Sequence, residues 1–138
     1  MCSDTKPLLA YVKLELFFAA ICYYIKINPK PITAMAKKIA EQLIDTLVKS
    51  GVERIYAVTG DSLNEVNEAV RKNDQIKWIH VRHEETGAYA AAAEAQLTGR
   101  PGCCAGSSGP GHVHLINGLY DAHRSGAPVI AIASTIPT

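Results

Sequence analysis

Two adjacent carboxylates, Glu84 and Glu85, lie between an apolar stretch and an alanine-rich run in "VRHEETGAYAAAAEAQ". Acidic side chains at a helix start interact favourably with the helix dipole, which is sufficient to explain Glu85. Glu84 directly follows a predicted buried strand, so its carboxylate would be poorly solvated and its pKa would tend to rise. Such a group can give or take a proton near neutrality, so Glu84 is our candidate catalytic residue.

Two further segments, "VTGDSLN" and "GSSGPGH", carry small and polar residues that could reach the same place. In open parallel sheets, ligands bind beyond the carboxyl ends of the strands, where helix N-termini offer free backbone N–H groups. The glycine-rich "GSSGPG" lacks the lysine of a P-loop and does not match G-x-G-x-x-G. A phosphate site and a simple tight turn therefore both stay open for this segment.

The histidines match no metal-binding motif, because "HEETG" differs from H-E-x-x-H. His112 and His114 are two residues apart, so on a helix they would face different directions. The possible ligands considered are His80, His83, Glu84, His112, His114 and His123. We predict that none of them binds a metal. A nucleophilic triad is not supported either, since Ser107 and Ser108 have no paired base and G-x-S-x-G is absent.

Alternating helix and strand patterns must position these loops. Helical spacing in "AKKIAEQLIDTLVKSG" predicts the first helix, with Gly51 as its C-terminal cap. Ser62 and Glu65 form an S-x-x-E capping box for the second helix. A third helix covers residues 84–98, and "GPGHVHLINGLYDAHRSG" is a loop leading into a fourth, with Pro110 near its first turn. The predicted strands lie in "RIYAVTG", "QIKWIHV", "RPGCCAGSS" and "APVIAIAST".

Strands separated by helices predict an α/β domain, in three layers, with a parallel sheet and helices on both faces. The fourth strand is continuously apolar, so we expect it to be buried on both faces. It lies at the end of the chain, so we expect the domain to be truncated at its C-terminus.

The composition is that of a globular protein, 48% hydrophobic and 20% charged over 138 residues. The formal net charge is +1 and no basic stripe is present, so nucleic acid is not an expected partner. The four cysteines, at positions 2, 22, 103 and 104, lack C-x-x-C spacing. On a strand, Cys103 and Cys104 would point to opposite faces, so we interpret them as small hydrophobic residues in a reducing compartment.

Residues 1–34 differ from the rest, since "LLAYVKLELFFAAICYYIKI" is apolar and aromatic and "NPKPIT" then interrupts any regular structure. The clean apolar run is short for a membrane span and lacks a secretory cleavage pattern. We expect a non-native or upstream-translated extension, with Met35 as the natural start and residues 35–138 as a partial domain. A membrane anchor or a targeting peptide is the alternative.

Four motifs occur together and in order: "GVERIYAVTGDSLN", "RHEETGAYAAAAEAQLTG", "GSSGPGHVHLINGLYDA" and "APVIAIAS". They resemble the N-terminal pyrimidine-binding (PYR) domain of thiamine-diphosphate enzymes of the pyruvate oxidase and acetolactate synthase superfamily. "TGDSLN" with "HLINGLYDA" is closest to pyruvate oxidases and quinone-dependent pyruvate dehydrogenases. The resemblance extends from Met35 to the last residue and has no counterpart for residues 1–34.

The resemblance implies that Glu84 hydrogen-bonds N1′ of the cofactor's aminopyrimidine and so helps remove the proton from the thiazolium C2. A 2-oxo acid such as pyruvate then loses carbon dioxide, and the cofactor does the difficult chemistry. Other implied contacts to the cofactor come from the loops that match the family's turns. The implied cofactor-binding residues are Gly60, Asp61, Glu84, Gly109, Pro110, Gly111 and Asn117. His114 is implied on the substrate side, and His83 would position its loop.

The chain departs from the family in two places. Thr135 stands where the family often has Gln or His, so the resemblance implies Thr135 on the substrate side in place of those side chains. The GDG…N motif that holds Mg²⁺ and the diphosphate, and the FAD-binding domain, are expected only in missing domains. The implied partner is a second subunit that carries the diphosphate-binding domain, in a homodimer or tetramer.

We expect the whole protein to be a pyruvate-oxidising enzyme in the cytoplasm. Peripheral association with the membrane is an alternative location. One alternative is the PYR domain of an acetolactate synthase or a 2-oxo acid decarboxylase. A second alternative is a non-catalytic α/β module that dimerises through its cofactor face. The electron acceptor, oxygen or quinone, depends on residues outside this sequence.

Because the diphosphate-binding motif lies elsewhere, we predict that the isolated 138-residue chain binds thiamine diphosphate weakly and has no turnover. The measurement is release of carbon dioxide from pyruvate with added thiamine diphosphate and Mg²⁺. Sustained decarboxylation by the chain alone would contradict this prediction.

Overall fold

The computed structural model describes residues 36–135, so the expected extension over residues 1–34 lies outside the described residues. In chain order the elements are α1 (Ile39–Lys49), β1 (Arg54–Ala57), a 3₁₀ turn (Asp61–Leu63), α2 (Asn64–Arg71), β2 (Lys77–His80), α3 (Glu84–Thr98), β3 (Gly102–Gly106), α4 (Pro110–Val113), α5 (Ile116–Ser125) and β4 (Val129–Ala133). None of the helices within this range is long and apolar enough to cross a membrane.

The four strands form one sheet in the order β2-β1-β3-β4, and every neighbouring pair is parallel. Ile55 in β1 lies opposite Trp78 in β2 and Cys103 in β3. The carboxyl ends of parallel strands meet at the same edge of the sheet. The loops after β1, β2 and β3 therefore converge there, as the sequence predicted.

Two apolar layers cover the two faces of the sheet. On one face, α1 and α2 contribute side chains such as Ile44 and Val70, which pack with alternate strand residues. On the other face, Ala88 and Ala91 of α3 pack with Leu115, Cys104 and neighbouring residues. This arrangement confirms the predicted three-layer α/β fold with helices on both faces.

Cys103 and Cys104 lie in different layers, as their positions on one strand predicted. Both are free and fully buried. Burial raises the pKa of each thiol to about 12. Since the ordinary value for a cysteine is about 8.5, both thiols stay protonated at neutral pH and act as small hydrophobic side chains.

Helix α3 approaches the sheet closely because small residues line the contact. A Cβ atom on Gly102 would lie 2.1 Å from the backbone oxygen of Ala91. A Cβ on Gly87 would meet the backbone oxygen of Tyr56 at 3.0 Å. The alanine-rich sequence of α3 therefore has a packing role beyond helix propensity, since it lets the helix axis lie close to β1 and β3. The helix ends at Gly99, which caps it in the left-handed conformation.

The predicted capping box of the second helix is wrong. Ser62 lies in the 3₁₀ turn, and α2 begins two residues later without a side-chain hydrogen bond to its N-terminus. Glu65 instead accepts a hydrogen bond from Nζ of Lys38 at 3.0 Å. The physical reason is that the Ser62 hydroxyl bonds to groups from two other loops, which are far away in sequence.

Two features of the C-terminal half also differ from expectation. Strand β4 is not buried on both faces, since Ala131 and Ala133 are exposed. It pairs only with β3 among the described strands, so it forms an edge of the described sheet. The loop and helix predicted after β3 form two helices, α4 and α5, with His114 and Leu115 between them.

We predict that Gly102→Ala destabilises the domain strongly, because the new methyl group would collide with the backbone of α3. The expected loss in free energy of unfolding is about 2–4 kcal/mol, measured by urea denaturation. Gly99→Ala is the control, since a Cβ there meets nothing within 4 Å. It should cost only about 1 kcal/mol, from the left-handed backbone. Equal losses in both variants would contradict the close-packing account.

Candidate functional site

The N-terminus of α3 lies at the edge of the sheet where the strand-end loops converge. His83 is the N-cap residue, with an extended backbone, and its Nδ1 accepts a hydrogen bond from the backbone N–H of Glu85 at 3.3 Å. The preceding loop is fixed to the sheet, because the backbone N–H of Val81 donates to the carbonyl oxygen of Ala57. His83 therefore caps α3, and its predicted role in positioning the loop stays a prediction.

Glu84 is the first residue of α3, and its side chain is only 13% exposed. Its Oε2 lies 3.2 Å from Nδ1 of His114, within hydrogen-bonding distance. Its Oε1 faces the Gly111 backbone, since a Cβ added to Gly111 would lie 3.2 Å from this oxygen. The poorly solvated carboxylate predicted from the sequence is therefore present, with one oxygen on an imidazole and the other against a glycine.

Glu85 has the more solvated environment that we expected for it, with a side chain 36% exposed. Its Oε1 accepts a hydrogen bond from Nδ2 of Asn117 at 3.1 Å. Asn117 lies in the first turn of α5, so this bond joins the starts of α3 and α5. In this structure Asn117 is bound to Glu85, and its predicted contact to a cofactor stays a prediction.

The Gly-Pro-Gly turn forms the opposite wall of the site. Gly109 has φ +77°, in the left-handed region that favours glycine, and Pro110 follows at the first position of α4. Gly111 is buried, and a Cβ there would lie 2.9 Å from Oγ of Ser107. Gly111 therefore allows the backbone to approach Glu84 closely, while Gly109 provides the left-handed turn before it.

Hydroxyl groups connect the loops after β1, β3 and β4. Oγ of Ser62 accepts a hydrogen bond from the backbone N–H of Ser108 at 2.9 Å and lies 2.7 Å from Oγ of Ser134. Ser134 also donates to the carbonyl oxygen of Gly106. Gly60 has room for no side chain, because a Cβ would lie 2.4 Å from Cβ of Ser107. These contacts fix the Gly-Pro-Gly turn against the loop after β1.

The remaining predicted site residues are less constrained. Asp61 begins the 3₁₀ turn at the same edge of the sheet, and its side chain is exposed. Thr135 is exposed and follows β4 by two residues, and its contact to a substrate stays a prediction. His114 lies between α4 and α5, where it contacts Glu84.

His83, Glu84 and His114 form one cluster, which was not predicted from the sequence. The rings of His83 and His114 are stacked, with centroids 4.6 Å apart and an angle of 25° between their planes. One possible metal-ligand atom from each of the three residues lies within 4.8 Å of the others. No sequence motif could indicate this cluster, because His114 is 30 residues away from Glu84 and reaches it only through the parallel sheet.

The family comparison agrees with the fold and the arrangement of these loops. Residues 37–138 match the family described as the N-terminal thiamine pyrophosphate (TPP) binding domain of thiamine pyrophosphate enzymes. Thiamine pyrophosphate is another name for thiamine diphosphate. The chain belongs to this family, and the resemblance proposed from the four motifs is confirmed.

Curated relatives come from more than one branch of these enzymes. The chain is 52% identical over 104 residues to the putative thiamine pyrophosphate-containing protein YdaP of Bacillus subtilis, covering 74% of this chain and 18% of that protein. It is 47% identical over 97 residues to a pyruvate oxidase of Lactiplantibacillus plantarum, covering 70% and 16%. It is 36% identical over 101 residues to a chloroplastic acetolactate synthase of Arabidopsis thaliana, covering 73% and 15%. The chain thus spans less than a fifth of the length of each of these relatives.

We predict that Gly111→Ala displaces the Glu84 carboxylate, because the new methyl group would press on Oε1 and on Oγ of Ser107. The carboxyl ¹³C resonance of Glu84 should move, while that of Glu85 should stay in place. The loss of stability should be modest, about 1–3 kcal/mol, because side chains can yield. An unchanged Glu84 resonance in a folded variant would show that the turn does not form this wall.

Proposed function

We propose that this chain is the aminopyrimidine-binding part of a thiamine-diphosphate site and that Glu84 is its catalytic carboxylate. The observation that carries the proposal is the position of Glu84, largely shielded from water at a helix start, with Oε1 facing the Gly-Pro-Gly turn. A carboxylate with only a dipole role would need neither this shielding nor this wall. Family membership supports the same cofactor.

The residues around Glu84 fit a flat heterocycle. Gly109 has open space where a Cβ would be, and Gly111 presents only its backbone toward the carboxylate. Gly60 and Asp61 lie at the neighbouring loop, whose position is fixed by the contact with Ser107. Glu84 would hold the ring nitrogen N1′, and the Gly109–Pro110–Gly111 turn would lie beside the ring.

The bound cofactor supplies an electron sink that lets a 2-oxo acid lose carbon dioxide. This chain contributes the proton-handling group, because Glu84 can share a proton with a ring nitrogen through one carboxylate oxygen. His114 keeps the other oxygen, Oε2, in place at 3.2 Å. Low exposure to water strengthens the hydrogen bond that the free oxygen can make. The protein's role is therefore to hold one well-oriented carboxylate and to exclude water from it.

We propose that the whole enzyme oxidatively decarboxylates pyruvate in the cytoplasm. The identity to a pyruvate oxidase, 47%, exceeds the 36% identity to an acetolactate synthase, and this difference favours the first branch. In this proposal Mg²⁺ and FAD bind to domains outside this chain, with Mg²⁺ beside the diphosphate. An acetolactate synthase or a 2-oxo acid decarboxylase is the second candidate, because the acetolactate synthase branch shares the same domain.

We further propose a second subunit as partner, which would complete the site with its diphosphate-binding domain. Apolar side chains on α4 and α5 support a partner on this side: Val113, Ile116 and Tyr120 are 51%, 58% and 64% exposed. Ile116 and Tyr120 are four residues apart, so they lie on one face of α5. The same face would serve a non-catalytic dimerisation module, which is the competing interpretation. The catalytic interpretation requires Glu84 for activity, whereas a dimerisation module does not require it.

A chimera serves as the test enzyme: this chain replaces the matching residues of the L. plantarum pyruvate oxidase. In such a chimera we predict that Glu84→Gln lowers kcat about 10²–10⁴-fold, because the amide cannot share a proton with N1′. Glu85→Gln is the matched control, adjacent in sequence and similar in size, and its activity should stay within about threefold of the parent. The readout is pyruvate decarboxylation with thiamine diphosphate in excess.

Equal activity of the Glu84→Gln and Glu85→Gln chimeras would refute the catalytic role of Glu84. A second chimera distinguishes the two candidate functions. In it, this chain replaces the matching residues of the A. thaliana acetolactate synthase. Higher activity of the acetolactate synthase chimera than of the pyruvate oxidase chimera would favour the second candidate.

A further inference from the structure

The stacked histidines and the shielded carboxylate form a set of possible metal ligands, and no linear sequence motif indicates this set. Two imidazole nitrogens and one carboxylate oxygen are typical ligands of Zn²⁺ and similar transition metals. His83, Glu84 and His114 offer one such atom each, all within 4.8 Å. We propose that this cluster binds one divalent transition metal ion when no cofactor occupies the site.

Distances within the cluster support a single ion. Zn–N and Zn–O bonds of about 2.0–2.2 Å place neighbouring ligands of a tetrahedral ion about 3.3–3.6 Å apart. Nδ1 of His114 and Oε2 of Glu84 are already 3.2 Å apart. The ligand atom of His83 lies within 4.8 Å of the other two, so the His83 ring must move closer to them to complete the set. Its side chain is 48% exposed, so this movement meets little resistance.

Metal binding requires two existing hydrogen bonds to change. Nδ1 of His83 now accepts from the Glu85 N–H, at the long distance of 3.3 Å, and His114 shares a proton with Glu84. A ring nitrogen that accepts from an N–H implies that the other ring nitrogen carries the proton. His83 must therefore release the helix cap, whether the metal binds Nδ1 directly or binds Nε2 after the proton moves to Nδ1. The cap bond of His83 is long and half-exposed, so a divalent ion can replace it, and at Glu84 the ion takes the place of the proton shared with His114.

The proposed site differs from the Mg²⁺ site expected beside the diphosphate. Mg²⁺ prefers an octahedron of oxygen ligands, whereas this cluster supplies two nitrogens. Because the metal takes Glu84, its binding excludes the contact between Glu84 and the aminopyrimidine. This consequence rests on the proposed function, but the binding of the metal to the cofactor-free chain does not.

The test uses the 138-residue chain with Cys2 and Cys22 replaced by serine, which removes thiols that could bind the metal, and with ZnCl₂ or CoCl₂ as the only added ligand. Calorimetry should give one Zn²⁺ per chain, and Co²⁺ should give the strong visible absorption of a tetrahedral ion. The imidazole resonances of His83 and His114 should move on titration, while those of His123 should stay in place.

Removing a ligand should weaken Zn²⁺ binding by at least about tenfold in each of His83→Ala, Glu84→Gln and His114→Ala. His123→Ala is the matched control, an exposed histidine on α5, and should bind as the parent does. Circular dichroism establishes that each variant is folded, and Glu84→Gln keeps the shape of the side chain. Absence of one-to-one binding, or equal affinities in all four variants, would overturn the proposal.

Discussion

The close packing of α3 against the sheet is the constraint on which the candidate site depends. Gly102 and Ala91 allow the helix backbone to touch β3, and Gly87 allows it to touch β1. Because the helix is rigid, its close packing on the sheet also fixes the position of its first residue. Glu84 is therefore fixed at the carboxyl edge of the sheet by contacts among glycines and alanines, which carry no chemistry themselves.

A second helix completes this arrangement. Gly118 in α5 packs on α3, since a Cβ there would lie 2.5 Å from Cβ of Ala88. Two polar pairs also connect the starts of these helices: Asn117 of α5 with Glu85, and His114, two residues before α5, with Glu84. Small residues therefore set the distance between the helices, and the polar pairs set the orientation of the two carboxylates. This division explains how adjacent glutamates acquire different surroundings.

Much of the fold could be predicted from residue patterns. The alternation of apolar strands and helices predicted a parallel sheet covered on both faces, and the adjacent cysteines were correctly assigned to opposite faces. Local patterns failed where the outcome depended on distant residues. Ser62 matched a capping box, but hydroxyl and backbone groups of Ser134 and Ser108 compete for it. The apolar sequence of β4 does not reveal that the strand lies at an edge of the described sheet, where Ala131 and Ala133 are exposed.

For the site, physical arguments from the sequence nominated Glu84 and separated it from Glu85, and the structure places the two as those arguments expected. The contact of His114 with Glu84 could not be predicted, because it arises from a fold that brings residues 30 positions apart together. The stacking of His83 on His114 has the same origin. The tertiary fold thus brings two histidines that are distant in sequence together beside Glu84.

The central claim is that Glu84 contacts N1′ of the thiamine-diphosphate aminopyrimidine. The most direct measurement is the ¹⁵N chemical shift of cofactor labelled at N1′, titrated with the 138-residue chain in the presence of Mg²⁺. The account predicts that the N1′ resonance moves as the chain is added and that the carboxyl resonance of Glu84 moves at the same concentrations. An N1′ resonance that moves at chain concentrations where the carboxyl resonance of Glu84 stays unchanged would contradict it.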